Sequence, residues 1–204
     1  MNILFYDTET TGLPVWGSPS GGDEQPHIVQ LAALLVDSET REVLEMVDAI
    51  IAPDGWTSSP EALAVHGITH ERAMDEGIPE STAMAQLLDL WGRCEWRVGH
   101  NESFDARILR IATCRYTDEE TQAAWKGGYA KCTARLSSPI LKLPPTEAMK
   151  RAKRFYPKTP TLLEAYRFFK DADMESAHCA MADTRGCMEV YWGVQDWQTP
   201  LGAA

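Results

Sequence analysis

The sequence predicts an α/β fold built on a sheet of mixed strand direction, and two observations lead to this prediction. Three strand-like segments follow one another within the first 52 residues, which indicates an antiparallel meander. Beyond Pro53, helical patterns take over and alternate with short strand-like segments. The chain has 204 residues, of which 44% are hydrophobic and 24% charged. We therefore expect a single globular domain spanning residues 1–204.

The predicted meander begins with the apolar run Ile3–Tyr6, which is typical of a buried strand. A loop rich in Gly, Pro and Ser follows over Leu13–Pro26. The second strand is predicted over His27–Asp37 because its middle is almost wholly apolar. A turn over Ser38–Arg41 then leads into a partner strand over Glu42–Ala52.

The remainder of the chain is predicted to be mainly helical, with two short strands. The strands are expected at Arg97–His100 and Lys131–Thr133. Helices are expected from apolar spacing and from the placement of Pro and Gly. They cover Pro60–Val65, Ser81–Trp91, Ser103–Arg115, Ala134–Leu143, Glu147–Phe155, Leu162–Phe169 and Ala180–Trp197.

The cysteine count, the hydropathy and the net charge exclude several classes of protein. The five cysteines are odd in number and show no CxxC spacing, so neither a disulfide framework nor a zinc site is expected. No apolar run has membrane-spanning length, and the first strand begins too early to leave room for a signal peptide. We expect a cytoplasmic protein without membrane contact. The net charge of −11 argues against general affinity for nucleic acid.

One stretch departs from this acidic balance. Between Lys126 and Lys170 there are eleven basic and two acidic residues, a local net charge of +9. Within it, four closely spaced cations could contact the phosphates of a nucleic-acid strand. They are Lys150, Arg151, Lys153 and Arg154. The alternative is that they form a solvated helix face.

Two acidic residues follow the first predicted strand. Asp7 and Glu9 are two positions apart, so on a strand both carboxylates point to the same face. Two like charges repel each other there, whereas a divalent cation such as Mg²⁺ binds oxygen ligands. A metal site is therefore predicted. The alternative is a solvated strand end that runs into a Thr/Gly turn.

Two more aspartates could complete this site. Asp105 lies in the first turn of the helix that follows the Val98 strand, a connection at which α/β sheets bind ligands. Asp183 leads an otherwise apolar stripe on the last helix, which is costly unless it is paired or binds metal. Four converging carboxylates cannot all stay ionised without cations. Two divalent ions about 3.5–4 Å apart would satisfy them.

His178 is the candidate general base. In a continuous helix, the five residues that separate it from Asp183 rotate the chain by roughly 140° away from the same face. His178 must therefore lie in a loop or first turn if both residues address one site. Histidine can then deprotonate an attacking water. The alternative is a surface or capping residue.

Four motifs in this order resemble those of the DEDDh, or DnaQ-like, 3′–5′ exonucleases. They are DTETTG at 7–12, HGIT at 66–69, GHNxxFD at 99–105 and HxAxxD at 178–183. Cys179 stands where the sister subclass has tyrosine, which favours the histidine type. The resemblance implies a ribonuclease-H-like mixed five-stranded sheet flanked by helices, and release of nucleoside 5′-monophosphates from a 3′ end.

The resemblance also implies roles for individual residues. Asp7, Glu9, Asp105 and Asp183 would hold two divalent ions, Mg²⁺ or Mn²⁺, with His178 as the general base. Six residues would contact the terminal nucleotides: Thr10, Thr11, Leu13, His66, Asn101 and Phe104. For most of these, a turn, core or capping role is the alternative.

The expected substrate is DNA rather than RNA, since Thr10 stands where the oligoribonuclease branch usually has methionine. Single-stranded or frayed ends are preferred if Leu13 inserts between the last two bases. The alternatives are an exoribonuclease and a non-catalytic module that binds nucleic acid or a polymerase. The absence of an extension beyond the last helix predicts a stand-alone enzyme in proofreading or repair, whose polymerase contact would use the domain surface.

Overall fold

The computed structural model of the protein describes residues 1–174 and 178–198. A five-stranded sheet lies at its centre, in the order β3-β2-β1-β4-β5. The strands are β1 (Asn2–Thr10), β2 (Ile28–Asp37), β3 (Val43–Ile50), β4 (Trp96–Gly99) and β5 (Ala130–Cys132). β1, β2 and β3 pair antiparallel, whereas β4 runs parallel to both β1 and β5. The predicted meander and the predicted mixed sheet are both confirmed.

The helices follow the predicted order with two additions. They are α1 (Pro60–His66), α2 (His70–Glu76), α3 (Glu80–Trp91), α4 (Ser103–Tyr116), α5 (Glu119–Gly127), α6 (Thr133–Leu141), α7 (Glu147–Arg151), α8 (Leu162–Lys170) and α9 (Ala180–Gln198). α2 and α5 were not predicted from the sequence. Each begins at a side-chain cap, Thr69 for α2 and Asp118 for α5, that accepts a hydrogen bond from a backbone N–H of the first turn.

The helix predicted over Glu147–Phe155 was too long, because α7 ends at Arg151. Lys153 adopts a left-handed conformation with φ of 57°, which does not continue a right-handed helix. Among the described helices, none has the combination of length and apolar character needed to cross a membrane. The division of the chain into one domain over residues 1–204 stays a prediction.

Helices cover both faces of the sheet, and β1 contributes to both cores. Leu4 and Tyr6 pack in a cluster with residues of α3 and α4, whereas Ile3 and Phe5 pack against α9. Successive side chains of a strand point to opposite faces. Thr8 therefore shares the face of α4, and the acidic residues at positions 7 and 9 share the face of α9.

β1 extends beyond its partner β4. The last pair between the two strands is Phe5 with Val98, yet β1 continues to Thr10 alongside β2. After β4 the chain turns into α4 at Ser103. The second half of β1 consequently has one edge that is free of β4. Such an edge, at the carboxyl end of a strand, is where α/β sheets commonly bind ligands.

Candidate active site

Three carboxylates meet at the free end of β1. One oxygen from each of Asp7, Glu9 and Asp183 lies within 4.8 Å of the other two. The strand presents the first two on the face covered by α9, and α9 carries the third in its first turn. The stripe that follows Asp183 on α9 is buried against this face: Cys187, Val190, Tyr191 and Val194. This apolar packing fixes the helix and brings its carboxylate to the strand.

Asp105 approaches from the opposite face of the sheet and does not join the cluster of three. It is 3% exposed. Its Oδ1 accepts a hydrogen bond from the backbone N–H of Thr8 at 3.0 Å and from the Thr8 hydroxyl at 2.7 Å. Asp105 is nevertheless close enough for its charge to raise the pKa of Asp7 and of Glu9. The structure thus groups three of the four predicted carboxylates within 4.8 Å, and joint metal binding by all four stays a prediction.

The surroundings raise the pKa of each carboxyl group. Burial raises the pKa of Asp7 well above its usual range, and the carboxylates of Asp105, Asp183 and Glu9 add to this effect. Burial, followed by repulsion from Asp183, raises the pKa of Glu9 to about 8. Burial raises the pKa of Asp105 to about 7, against the hydrogen bonds from Thr8. Without a cation, the site therefore favours protonated carboxyl groups near neutral pH.

His178 lies in the turn before α9, in agreement with the geometric requirement stated above. Its backbone is left-handed, with φ of 69°, and its side chain is exposed. Its backbone N–H donates to Asp183 Oδ2 at 3.3 Å. This bond partly offsets the burial that raises the pKa of Asp183. The histidine is thereby tied to one member of the carboxylate cluster.

Gln30 holds the start of α9 against the sheet, an interaction that the sequence analysis missed. It lies opposite Glu9 on β2 and is 6% exposed. Its Oε1 accepts a hydrogen bond from the backbone N–H of Ala180 at 3.2 Å, and its Nε2 donates to Asp48 at 2.9 Å. Nothing in the local sequence pattern distinguishes this glutamine, because the hydrogen bond to Ala180 spans 150 residues.

A hollow of about 370 Å³ opens beside Glu9. Four of the predicted nucleotide contacts line it: Thr10, Leu13, His66 and Phe104. Ala62 and Val65, which the sequence analysis did not select, add apolar surface. Leu13 is 79% exposed at this hollow. The hollow therefore combines an apolar lining with direct access to the carboxylates.

His66, which lines this hollow, has an unpaired hydrogen-bond donor. Its Nδ1 accepts from the backbone N–H of Ile68 at 3.0 Å, so the neutral ring carries its proton on Nε2. Burial lowers the pKa of His66, which favours the neutral ring. Nε2 is buried and has no hydrogen-bond partner within residues 1–174 and 178–198. A ligand oxygen would satisfy it.

The other residues that were predicted to contact nucleic acid do not line the hollow beside Glu9. Thr11 Oγ1 accepts from the backbone N–H of His27 at 3.0 Å and lines a neighbouring hollow. Asn101 is exposed, with φ of 61°. The four predicted phosphate contacts are exposed and are not among the residues that line the hollow beside Glu9: Lys150, Arg151, Lys153 and Arg154. Lys150 forms an ion pair with Glu147 at 2.7 Å.

Comparison with known proteins gives consistent matches. A family model described as exonuclease, RNase_T, matches residues 4–191. Exodeoxyribonuclease 10 of Escherichia coli K12 is 32% identical over 107 residues, which are 52% of this chain and 40% of that protein. The exodeoxyribonuclease 10 of E. coli O6:H1 matches with the same values.

Solved structures of E. coli exonuclease I have the same fold. The zinc-bound complex with single-stranded DNA has a TM-score of 0.73 at 22% identity, covering 97% of this chain and 41% of that one. The complex with a dT13 oligonucleotide has a TM-score of 0.72 at 21% identity, with the same coverage. The chain thus spans about two fifths of the length of these relatives.

Proposed function

This chain belongs to the RNase_T exonuclease family, with a ribonuclease-H-like fold, and from that premise we propose that it is a metal-dependent 3′–5′ DNA exonuclease. In this proposal it releases nucleoside 5′-monophosphates from single-stranded or frayed ends. The observation that carries the proposal is the partly buried carboxylate cluster of Asp7, Glu9 and Asp183 beside an open, mostly apolar hollow. A module that only binds nucleic acid gains nothing from such a cluster, because burying like charges is unfavourable.

The residues present fit divalent cations. All the candidate ligands are carboxylate oxygens, which suit Mg²⁺ or Mn²⁺ rather than softer metals. Asp7, Glu9 and Asp183, together with Asp105, would hold these ions. Divalent ions bound there would lower the pKa of a water molecule and stabilise the negative charge that develops on the phosphate.

We assign proton transfer to His178. The Asp183 carboxylate holds the backbone of this residue, and its exposed ring can pass a proton to bulk solvent. As general base, the ring nitrogen takes the proton from the attacking water. Once the ring has released this proton to solvent, it is ready to act on the next nucleotide of the strand.

The hollow beside Glu9 would bind the terminal nucleotide. Phe104, Ala62 and Val65 offer apolar surface to the base, and the unpaired Nε2–H of His66 can donate to an oxygen of the nucleotide. The exposed Leu13 is suited to insertion between the last two bases. Insertion requires unstacked bases, so single-stranded and frayed ends should react faster than paired ends.

Two arguments support DNA as the substrate. Thr10, at the hollow, stands where the RNA-directed branch that this family includes usually has methionine. The relatives are an exodeoxyribonuclease and an exonuclease I solved with single-stranded DNA. A role in proofreading or repair, and a polymerase contact through the domain surface, stay predictions.

The test is hydrolysis of 5′-labelled single strands of DNA and RNA of the same sequence, with Mg²⁺, Mn²⁺ or EDTA. We expect a ladder that shortens from the 3′ end, nucleoside 5′-monophosphates as product, and no reaction in EDTA. The kcat/KM should be higher for DNA. Asp7→Asn serves as the inactive control. Activity that persists in EDTA would contradict the metal mechanism, and a clear preference for RNA would overturn the substrate assignment.

A further inference from the structure

A second concave surface lies on the side of α4 and α5. It consists of two hollows, of about 240 and 310 Å³, which share Glu102 and Ser103. We call the surface formed by these two hollows the α4 groove. Six of its basic and aromatic residues are relevant to ligand binding. They are Trp16, Arg107, Arg110 and Lys126 in the first hollow and Tyr129 and Arg135 in the second.

The α4 groove has an excess of positive charge on a chain whose net charge is −11. The one carboxylate that lines the two hollows, Glu102, is already paired with Arg97 at 3.1 Å. Lys126 and Arg135 are exposed, and neither side chain has a hydrogen-bond or ion-pair partner within the described ranges 1–174 and 178–198. These two cations are therefore free to bind phosphate.

Arg107 also indicates a phosphate group as the ligand. It is 7% exposed, and its guanidinium donates to the hydroxyl of Ser20 and the backbone oxygen of Ser18, both at 2.6 Å. Its Nε is buried without a hydrogen-bond partner in the part of the chain that the structure describes. A buried donor of this kind on a charged group is unfavourable unless an acceptor reaches it. A phosphate oxygen is such an acceptor.

Each hollow also contains one exposed aromatic side chain. Trp16 is 62% exposed and Tyr129 is 64% exposed. Exposed aromatics alternating with cations are the combination by which proteins bind single-stranded nucleic acid, because bases stack on the rings while the cations follow the backbone. Two hollows with one aromatic each suit two successive nucleotides.

The α4 groove and the catalytic hollow are lined by nearby residues of the same two chain segments. Leu13 and Phe104 line the catalytic hollow, while Trp16 and Ser103, a few residues away, line the groove. On another side of Leu13 lies a hollow that contains three carboxylates: Asp23, Glu24 and Asp54. A polyanionic strand that leaves the catalytic hollow is therefore repelled in that direction and attracted along the α4 groove.

We propose that the α4 groove binds the nucleotides upstream of the reacting 3′ end as a single strand. The proposal rests on the function proposed above, in that the terminal nucleotide occupies the hollow beside Glu9. The bases of the preceding nucleotides stack on Trp16 and Tyr129, and Lys126 and Arg135 contact their phosphates. The groove thus favours longer single strands over short ones.

The test is binding of fluorescent dT12 and dT2 by anisotropy at low salt, with EDTA to prevent hydrolysis. The test variants are Lys126→Gln/Arg135→Gln and Trp16→Ala. Their matched controls are Arg72→Gln/Lys170→Gln, which removes two exposed cations elsewhere, and Trp197→Ala, whose side chain is 63% exposed. All these side chains are at the surface, so each variant should fold, which thermal unfolding will verify.

We expect each test variant to bind dT12 about tenfold more weakly than its control. The double variant should also reduce the salt dependence by about 0.7 for each phosphate that it no longer binds. If the test variants bind dT12 as tightly as their controls do, the proposal for the groove is wrong. It is also wrong if the wild-type protein binds dT12 no better than dT2. If the wild type releases no nucleotide in Mg²⁺, the proposed function fails instead, and the anisotropy data still decide the groove.

Discussion

Two charged regions of this protein stand in contrast. The pair Asp7 and Glu9 and the basic segment Lys150–Arg154 were both selected from the sequence because like charges lie close together, and Asp183 was added because it leads an apolar stripe. In the structure the carboxylates lie within 4.8 Å of one another and are at least half-buried. The basic segment is exposed, and one of its members is paired with Glu147.

The difference shows which clusters of like charge require a bound ligand. Exposed cations are solvated and screened, so their proximity costs little. Carboxylates that the fold removes from water and holds together cannot relax, and they must protonate or bind cations. The raised pKa of Glu9, about 8, is a consequence of this burial and of repulsion from Asp183. Substitutions in the carboxylate cluster and in the basic segment test this contrast.

The largest effect is expected for removal of one carboxylate. Asp7→Asn or Asp183→Asn should abolish nucleotide release, because each removes a ligand of the proposed metal site; Glu9→Gln and Asp105→Asn should act alike. In EDTA the unfolding temperature should rise, since repulsion within the cluster is relieved. Hydrolysis of labelled DNA and thermal unfolding measure the two effects. Asp75→Asn, on the exposed surface of α2, is the control. Near wild-type turnover in Asp7→Asn would remove the basis of the metal site.

A smaller effect is expected at His178. If it is the general base, His178→Ala lowers kcat by about 10²–10⁴-fold and leaves nucleotide binding almost unchanged. The pH–rate profile of the wild type should show a rising limb that the variant lacks. His70→Ala, which alters an exposed histidine on α2, provides the comparison. An identical profile in His178→Ala would assign this histidine to structure alone.

The cluster also predicts how stability depends on pH without metal. The pKa of Asp105 is about 7 and that of Glu9 about 8 in the folded protein, whereas such groups titrate near 4 when unfolded. Between these values the folded protein binds more protons, so the free energy of unfolding decreases as pH rises from about 5 to 8. Denaturant titrations in EDTA should show this decrease, and Mg²⁺ should oppose it. A flat profile would contradict the raised pKa values.

The smallest effect is expected in the basic segment. Lys150→Gln/Lys153→Gln should raise KM for single-stranded DNA and lower the salt dependence by roughly 0.7 for each phosphate that these side chains would otherwise bind. The effect should be modest because both side chains are exposed and line no part of the catalytic hollow. Steady-state kinetics between low and moderate salt measure it. An unaltered salt dependence would assign the segment to a solvated surface.

Local patterns were sufficient for much of the fold and part of the site. The apolar runs of β1 and β2 and the turn between β2 and β3 predicted the meander, because each signal lies within a few residues. The apolar stripe behind Asp183 predicted which face of α9 is buried. The five-residue interval before it predicted that His178 lies in a loop or first turn if both residues address one site, and the structure places His178 in the turn before α9.

Other features depend on where distant elements stop and could not be predicted. Asp105 bonds to Thr8 because β4 ends early, which no pattern around either residue indicates. Gln30 reaches Ala180 across 150 positions. The α4 groove combines Trp16 with cations from helices that the loop and the sheet bring together, and its charges are dispersed in the sequence. The charge count along the chain selected Lys126–Lys170, which includes Lys126 and Arg135, but it did not show that these two cations share a surface with Trp16.

The hydrogen bond from the Thr8 amide to Asp105 offers a way to detect metal binding by hydrogen exchange. This amide lies beyond the last β1–β4 pair, so a side chain, rather than a neighbouring strand, protects it from solvent. Cation binding that engages the Asp105 carboxylate should change the hydrogen-exchange rate of this one amide. The amide of Leu4, inside the ladder, should exchange at an unchanged rate. The central strand thus provides a residue-specific signal of metal occupancy that NMR can follow without substrate.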